Sequence, residues 1–335
     1  MKMLKRRTLI FLILLVFITG CQNGSEKTAE GAYVGGAQGL GLSFVDNEPP
    51  LRVLDADSDE FLITLLLDNV GEYDVGQGGV RVTLGGIDQK EFQIKDMTKR
   101  NENLIRGISK EREEIIAGDI EELTYNARYK SDLNADFSTI ISANVCYNYG
   151  TRSLTSLCLR RDSSVRPREG DSCTIDEAKP IENSGAPIQV SNVFERPVGK
   201  NAVRITFDIE NVGKRGTSSG FGGFSGLRGG TASADASIGD VYQAGAFNQV
   251  CYGDEDKKNK VNTEVVGTGG IKFKCDKLSG GNKGVVRLVE NKVTISCETD
   301  TKGLQEIAFA SPVNINLDYV YRESISADII VEDAG

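Results

Sequence analysis

Apolar and polar residues alternate in short runs along most of the chain. GLGLSFV at 39–45, FLITLLLDN at 61–69, GVRVTLGG at 79–86, EELTYNARY at 121–129 and FSTIISANVCYNY at 137–149 carry the two-residue period of half-buried strands. Clusters of Gly, Asn, Asp and Pro separate them, the punctuation of an all-β sandwich. SKEREEIIAGDIEEL at 109–123 could form a helix, but its Gly118-Asp119 centre favours a loop feeding a strand.

The pattern occurs twice. Ile63 to Gly71 reads ITLLLDNVG and Ile205 to Gly213 reads ITFDIENVG. FSTIISANVCYNYGTRSLTSLCL from Phe137 aligns without a gap against FASPVNINLDYVYRESISADIIV from Phe309, matching Tyr147 and Tyr149 to Tyr319 and Tyr321. Two ordered matches indicate a tandem duplication. Alternate positions of a strand share a face, so Ile63, Leu65 and Leu67, and likewise Ile205, Phe207 and Ile209, are expected in the core. Asn-Val-Gly supplies turn chemistry, since Asn and Gly tolerate positive φ. Each Tyr-x-Tyr strand is expected to turn back in a hairpin that closes its half. The four tyrosines are expected to pack on their own sheets.

The N-terminus has a different pattern. Lys2, Lys5, Arg6 and Arg7 precede an uncharged apolar run from Leu9 to Ile18, which ends at Gly20-Cys21 and turns polar. The run is too short for a comfortable span, which needs about 20 apolar residues, and has the build of a secretory signal. ITGC at 18–21 resembles the lipobox of prokaryotic lipoproteins, which implies that Cys21 is lipidated and becomes the first mature residue. QNGSEKTAEGAYVGG, from Gln22, has the composition of a flexible tether. The expected organisation is a signal peptide at 1–20, a tether at 21–35, one sandwich at 36–165, a linker at 166–183 and a second sandwich at 184–335.

The strand ending in an acid-Asn-Val-Gly turn, in repeated all-β units behind a lipobox, looks like the CARDB-type (cell-adhesion-related) immunoglobulin-like domains of archaeal and bacterial surface proteins. The opening GGAQGLGLSF with Pro49-Pro50 is similar to the start of archaeal envelope proteins. The resemblance implies two tandem immunoglobulin-like β-sandwiches. Long insertions near 95–118 and 214–232 depart from the pattern and would lie between strands.

Charge narrows the partners. Loss of residues 1–20 takes four positive charges from a formal −9 and leaves −13. Such a chain is ill suited to nucleic acid or to peripheral binding on anionic lipid, so acyl chains on Cys21 would supply the membrane attachment. Histidine is absent, which excludes Ser-His-Asp triads, Cys-His dyads and His-ligated zinc. No cofactor motif is present.

Seven cysteines become an even six once Cys21 is set aside, as expected for disulfides outside the cytosol. Cys146 and Cys158 are expected to bridge across the first closing hairpin. Cys173, Cys251, Cys275 and Cys297 can pair in three ways; the turn chemistry of GGNKG favours Cys275 with Cys297, leaving Cys173 with Cys251.

Other candidates are weighed against simpler roles. DADSDE sets Asp55, Asp57 and Asp59 at the spacing of a calcium loop, without the glycine and distal glutamate of an EF-hand; a solvated acidic turn is the alternative. YGDEDKKNK at 252–260 reads as a solvated hairpin tip. GFGGFSGLRGG, from Gly220, lacks the Lys-Ser/Thr of a phosphate loop, but Phe221, Phe224 and Leu227 could contact a partner. The carboxylates of EREEII and DIEEL read as charged loop and strand edge rather than acid/base machinery. The expected function is a lipid-anchored, non-catalytic binding, adhesion or scaffold module of the cell envelope, with an envelope protein or glycan as partner. The alternatives are an extracytoplasmic solute receptor and a carboxylate-dependent glycan hydrolase.

Overall fold

The computed structural model describes residues 31–112, 114–213 and 238–335. In the first half the strands are β1 (Leu40–Phe44), β2 (Arg52–Leu54), β3 (Glu60–Asn69), β4 (Val80–Gly85) and β5 (Thr98–Arg100). There follow β6 (Ser109–Glu111), β7 (Glu114–Ile116), β8 (Ile120–Arg128) and the 23-residue β9 (Phe137–Leu159). The second half has β10 (Glu177–Ala178), β11 (Ile181–Asn183), β12 (Ile188–Pro197), β13 (Ala202–Asn211) and β14 (Asp240–Gln243). A one-turn helix, α1 (Phe247–Val250), precedes β15 (Lys260–Gly267), β16 (Lys274–Cys275), β17 (Lys283–Arg287) and β18 (Lys292–Asp300). The 24-residue β19 (Phe309–Glu332) completes the set. The fold is all-β, as the alternation predicts.

Each half contributes one larger sheet of its own, β1-β3-β8 in the first and β10-β12-β13-β18-β16 in the second, and the first half adds the two-stranded β6-β7. The two are built alike: Leu40 of β1 faces Asn69 of β3, and Ile188 of β12 faces Asn211 of β13. Ile63, Leu65, Leu67, Ile205, Phe207 and Ile209 are all fully buried, the face their spacing predicts.

The third sheet belongs to both halves, with the order β17-β15-β19-β9-β4-β5. β9 and β19 pair antiparallel from Phe137↔Val331 to Leu159↔Phe309. These strands are the two copies of the repeat. Asn148 pairs with Val320, the residue that also matches it in the gapless alignment, so a local two-fold axis passes through this pair. The axis exchanges Tyr147 with Tyr319 and Tyr149 with Tyr321. The four rings are fully or almost fully buried and form a square: centroids are 5.6 Å apart for Tyr147–Tyr149, 5.9 Å for Tyr147–Tyr321, and 6.4 Å for Tyr149–Tyr319 and Tyr319–Tyr321. At these spacings and tilts, each aromatic pair adds about 0.5–1.5 kcal/mol beyond the area it buries.

The structure overturns several of these expectations. No hairpin closes either half: the stretch between the tyrosines and Cys158, or between Tyr321 and Ile330, stays extended, and each long strand runs on beside the other half. β11 pairs with the far end of β9 and β2 with the far end of β19. The described residues from 31 to 335 accordingly form one compact unit, with no division at 166–183. That segment is tied down by the Cys158–Cys173 disulfide and by Asp171, which accepts from Ala308 N at 3.0 Å and pairs with buried Arg160 at 3.0 Å. The end of the expected tether is docked as well. Glu72 accepts from Val34 N, Gly35 N and Gly185 N at 2.9, 2.8 and 2.6 Å. The disputed stretch at 109–123 is a small β6–β7 hairpin followed by β8, not a helix.

The Asn-Val-Gly motifs act differently from a positive-φ turn. None of Asn69, Gly71, Asn211 and Gly213 has positive φ. Asn69 donates to the carbonyls of Tyr73 and Ile105 at 2.8 and 3.1 Å and accepts from Tyr149 Oη at 3.0 Å. Asn211 likewise donates to Gly239 O at 2.8 Å and accepts from Tyr321 Oη at 3.3 Å. The glycines serve close approach: at Gly71 a Cβ would lie 2.5 Å from Gly185 O, and at Gly213 it would lie 2.8 Å from Pro187 Cβ, with the Tyr149 or Tyr321 hydroxyl closer still.

Candidate functional site

The polar face of the shared sheet carries the site. Neighbouring strands align two rows of side chains: Arg81, Cys146, Arg322 and Asp240 in one, Thr83, Asn144 and Ser324 in the next. Strand alternation sends these residues away from the tyrosine square. They floor a cleft of about 660 Å³ with Cys251 and Tyr252 on its wall. The Cys146–Cys251 disulfide, with Cα atoms 5.7 Å apart, fixes that wall to the floor at the end of α1.

Arg81 is almost buried, with its guanidinium carbon 3.4 Å from the centre of the Tyr252 ring. Its Nη1 donates to Cys251 O at 3.3 Å, while its buried Nε–H has no acceptor among the described residues. Tyr252 is 72% exposed, the most exposed large apolar side chain described. Arg322 donates to Asp240 and Glu255 at 3.0 and 3.1 Å and lies over the Tyr242 ring. Burial disfavours the Arg322 charge, but these acids outweigh it and raise its pKa. Lys258 reaches Asp240 at 3.0 Å, completing an ion network along one side. Burial, above all, pushes the Tyr242 hydroxyl up; its Oη donates to Glu255 at 3.1 Å. The cleft thus offers guanidinium donors, an amide, two hydroxyls and an aromatic face on a rigid floor, a combination suited to holding a polar ligand.

The sequence-predicted residues fall as follows. Cys21 and the trio Phe221, Phe224 and Leu227 lie outside the described residues. Of the disulfides, Cys275–Cys297 forms across the neighbouring strands β16 and β18. The other two expected pairs are corrected to Cys146–Cys251 and Cys158–Cys173. Cys146 and Cys158 sit on one continuous strand, and twelve residues of strand separate them by roughly 40 Å. Cys173 and Cys251 pair with these two instead of with each other. Three disulfides fit an oxidising, extracytoplasmic compartment, and no helix among the described residues is long and apolar enough to cross a membrane.

The aspartates of DADSDE do not converge. Asp55 is buried and accepts from Leu133 N at 2.6 Å and Ala334 N at 2.9 Å, and its carboxylate gathers with those of Asp132 and Asp333. Asp57 instead accepts from Gln93, and Asp59 is exposed. The acids of DIEEL are structural where they are bonded: Glu121 accepts from Glu102 N at 2.6 Å. YGDEDKKNK is more than a solvated tip, since Tyr252, Glu255 and Lys258 build the cleft wall and its ion network. Sequence reasoning missed Arg81 and Tyr252; the one available signal was a charged residue on the polar side of an apolar strand.

No family model and no curated protein matches the chain. Among solved structures, the secreted serine protease VesC from Vibrio cholerae aligns at 9% identity over 84% of this chain. Its TM-score is 0.20, a likeness too low to carry either a fold or an activity. This chain spans about half, 51%, of that protein.

Proposed function

We propose that the protein is a lipid-anchored, non-catalytic binding module of the cell envelope and that the cleft of Arg81, Asn144 and Tyr252 holds a glycan. The exposed Tyr252 ring beside fixed hydrogen-bonding groups carries this reading: a sugar offers apolar C–H faces for an aromatic ring and hydroxyls for amide and guanidinium partners. The anchor rests on the lipobox resemblance and on cysteine arithmetic, since the three disulfides use every cysteine except Cys21. A single acyl chain binds membranes marginally, so at least two are expected there. One sheet running unbroken through both halves favours a fixed binding surface over a receptor whose lobes close on a solute.

Two measurements test it. A Cys21→Ser variant should move from the membrane to the soluble fraction, and unchanged fractionation overturns the anchor. Envelope polysaccharide immobilised on a column should retain the full chain, and Tyr252→Ala should lower retention at least tenfold. Equal retention of variant and parent, or retention only by envelope protein, overturns the glycan reading.

A further inference from the structure

We propose that the protein has a second binding site, for a phosphate-type oxyanion, in a basic cleft beyond the end of β9. The segment that leaves this strand, RRDSSVRPR, holds four arginines in nine residues of a chain whose mature charge is strongly negative. It begins roughly 45 Å along the strand from Cys146. Arg160, Arg161, Arg168 and Lys200 line a cleft of about 370 Å³ with Asn201.

Two acids, Asp162 and Glu306, line the cleft with these four cations and leave the lining net positive. Asp162 accepts from Ser164 Oγ at 2.7 Å and Ser164 N at 3.2 Å, and its ion pair with the exposed Lys200 is a long one at 3.7 Å. Glu306 pairs with Arg161 at 3.2 Å, with both side chains more than half exposed, where such a pair is weak. Arg168 forms no ion pair among the described residues. Arg160 is held beneath them with 4% of its side chain exposed. Its Nη1 donates to Asp171 at 3.0 Å, and its Nε–H has no acceptor among the described residues.

The cations are also held in place. Arg161 Nε donates to Leu304 O at 3.0 Å and its N–H to Gln305 O at 2.8 Å. Asp171 accepts from Arg168 N at 2.8 Å, and the Cys158–Cys173 bridge closes the segment. Guanidinium and ammonium groups converging from two loops, with spare donors, match an anion that accepts from several directions at once. A phosphate meets that requirement better than a planar carboxylate. It could be borne by a lipid headgroup or arrive free in solution or on a polymer.

The test is titration of the full chain with inorganic phosphate, with acetate as the carboxylate control. Saturable binding that weakens with salt is expected. Arg168→Gln combined with Lys200→Gln, both exposed and away from the core, should raise the phosphate dissociation constant at least tenfold at an unchanged melting temperature. Flotation with vesicles containing phosphatidylglycerol, against phosphatidylcholine alone, distinguishes the sources. Binding abolished by the double variant identifies a headgroup, and no vesicle binding alongside phosphate binding identifies a free or polymer-borne phosphate. Failure to bind phosphate at millimolar concentration, equal binding by the double variant, or a preference for acetate overturns the proposal. Arg168 and Lys200 are remote from Tyr252, so glycan retention and phosphate binding can fail independently.

Discussion

Tyr149 donates its phenolic hydrogen to Oδ1 of Asn69 at 3.0 Å, joining the long shared strand to the end of β3 across 80 residues of sequence. Its two-fold mate Tyr321 makes the same bond to Asn211 at 3.3 Å. In Tyr149→Phe the buried Asn69 oxygen loses its phenol donor, at a cost of about 1–3 kcal/mol. Tyr321→Phe should cost less, because the bond it removes is longer. Denaturant unfolding of the two variants checks the order; equal stability of Tyr149→Phe and the parent refutes the role given to the asparagine.

Gly71→Ala should be more damaging than a typical overpacking change of about 1–3 kcal/mol. The new methyl would meet the backbone oxygens of Gly185 and Gln38, at 2.5 and 2.6 Å, as well as the Tyr149 hydroxyl. A rotamer change relieves none of the backbone clashes. Gly76→Ala, where a Cβ meets nothing within 4 Å, is the matched control. Similar melting temperatures for the two variants would count against close approach as the reason for the glycine.

Peptide mapping without reduction should recover Cys146 with Cys251, Cys158 with Cys173 and Cys275 with Cys297. Replacing Cys146 and Cys251 together by alanine removes a closure of 105 residues and should cost about 2–4 kcal/mol. It should also loosen the wall that carries Tyr252, so glycan retention falls even at temperatures where the variant stays folded. Recovery of Cys146 linked to Cys158 would contradict the continuous course of β9.

Glu195 gives stability a pH dependence of unusual sign. It is fully buried, and Cys158 N donates to both of its oxygens at 3.0 Å. Burial raises its carboxyl from 4.5 to about 7, against the opposing pull of the Cys158 N–H and of Lys179 at 3.0 Å. Between those values the folded chain keeps a proton that the unfolded chain has released. Stability therefore falls as pH rises through this window, by on the order of 3 kcal/mol. Asp162, Asp171 and Asp208 have pKa values below their ordinary 3.8, so their contribution is lost only in more acidic solution. Glu195→Gln should flatten the dependence of the melting temperature between pH 5 and pH 7, and a slope identical to the parent's would show that the proton resides elsewhere.

Much of the core was legible because alternation is a local property. Ile63, Leu65 and Leu67, with their mates in β13, could be placed from spacing alone. The course of β9 could not, because NYGTRS has the composition of a turn. Gly150 in fact serves close approach, since a Cβ there would lie 2.6 Å from the Tyr73 ring. Composition does not separate the two uses of glycine. The cleft was illegible for another reason: Arg81 and Tyr252 lie 171 positions apart, and the spacing of Cys146 and Cys158 points to a hairpin bridge, whereas Cys146 pairs with Cys251. The repeat itself was readable, but not that its two copies pair with each other.

The self-matching register of β9 and β19 bears on how the chain could be divided. Severed within 166–183, either fragment would display some two dozen residues of bare strand edge, and an edge of that length invites pairing with whatever strand arrives first. The best available complement is another copy of the same fragment, because a symmetric register serves two like strands as well as two unlike ones. Half of this polypeptide is therefore half of a dimer, and the intact chain holds both subunits on one thread.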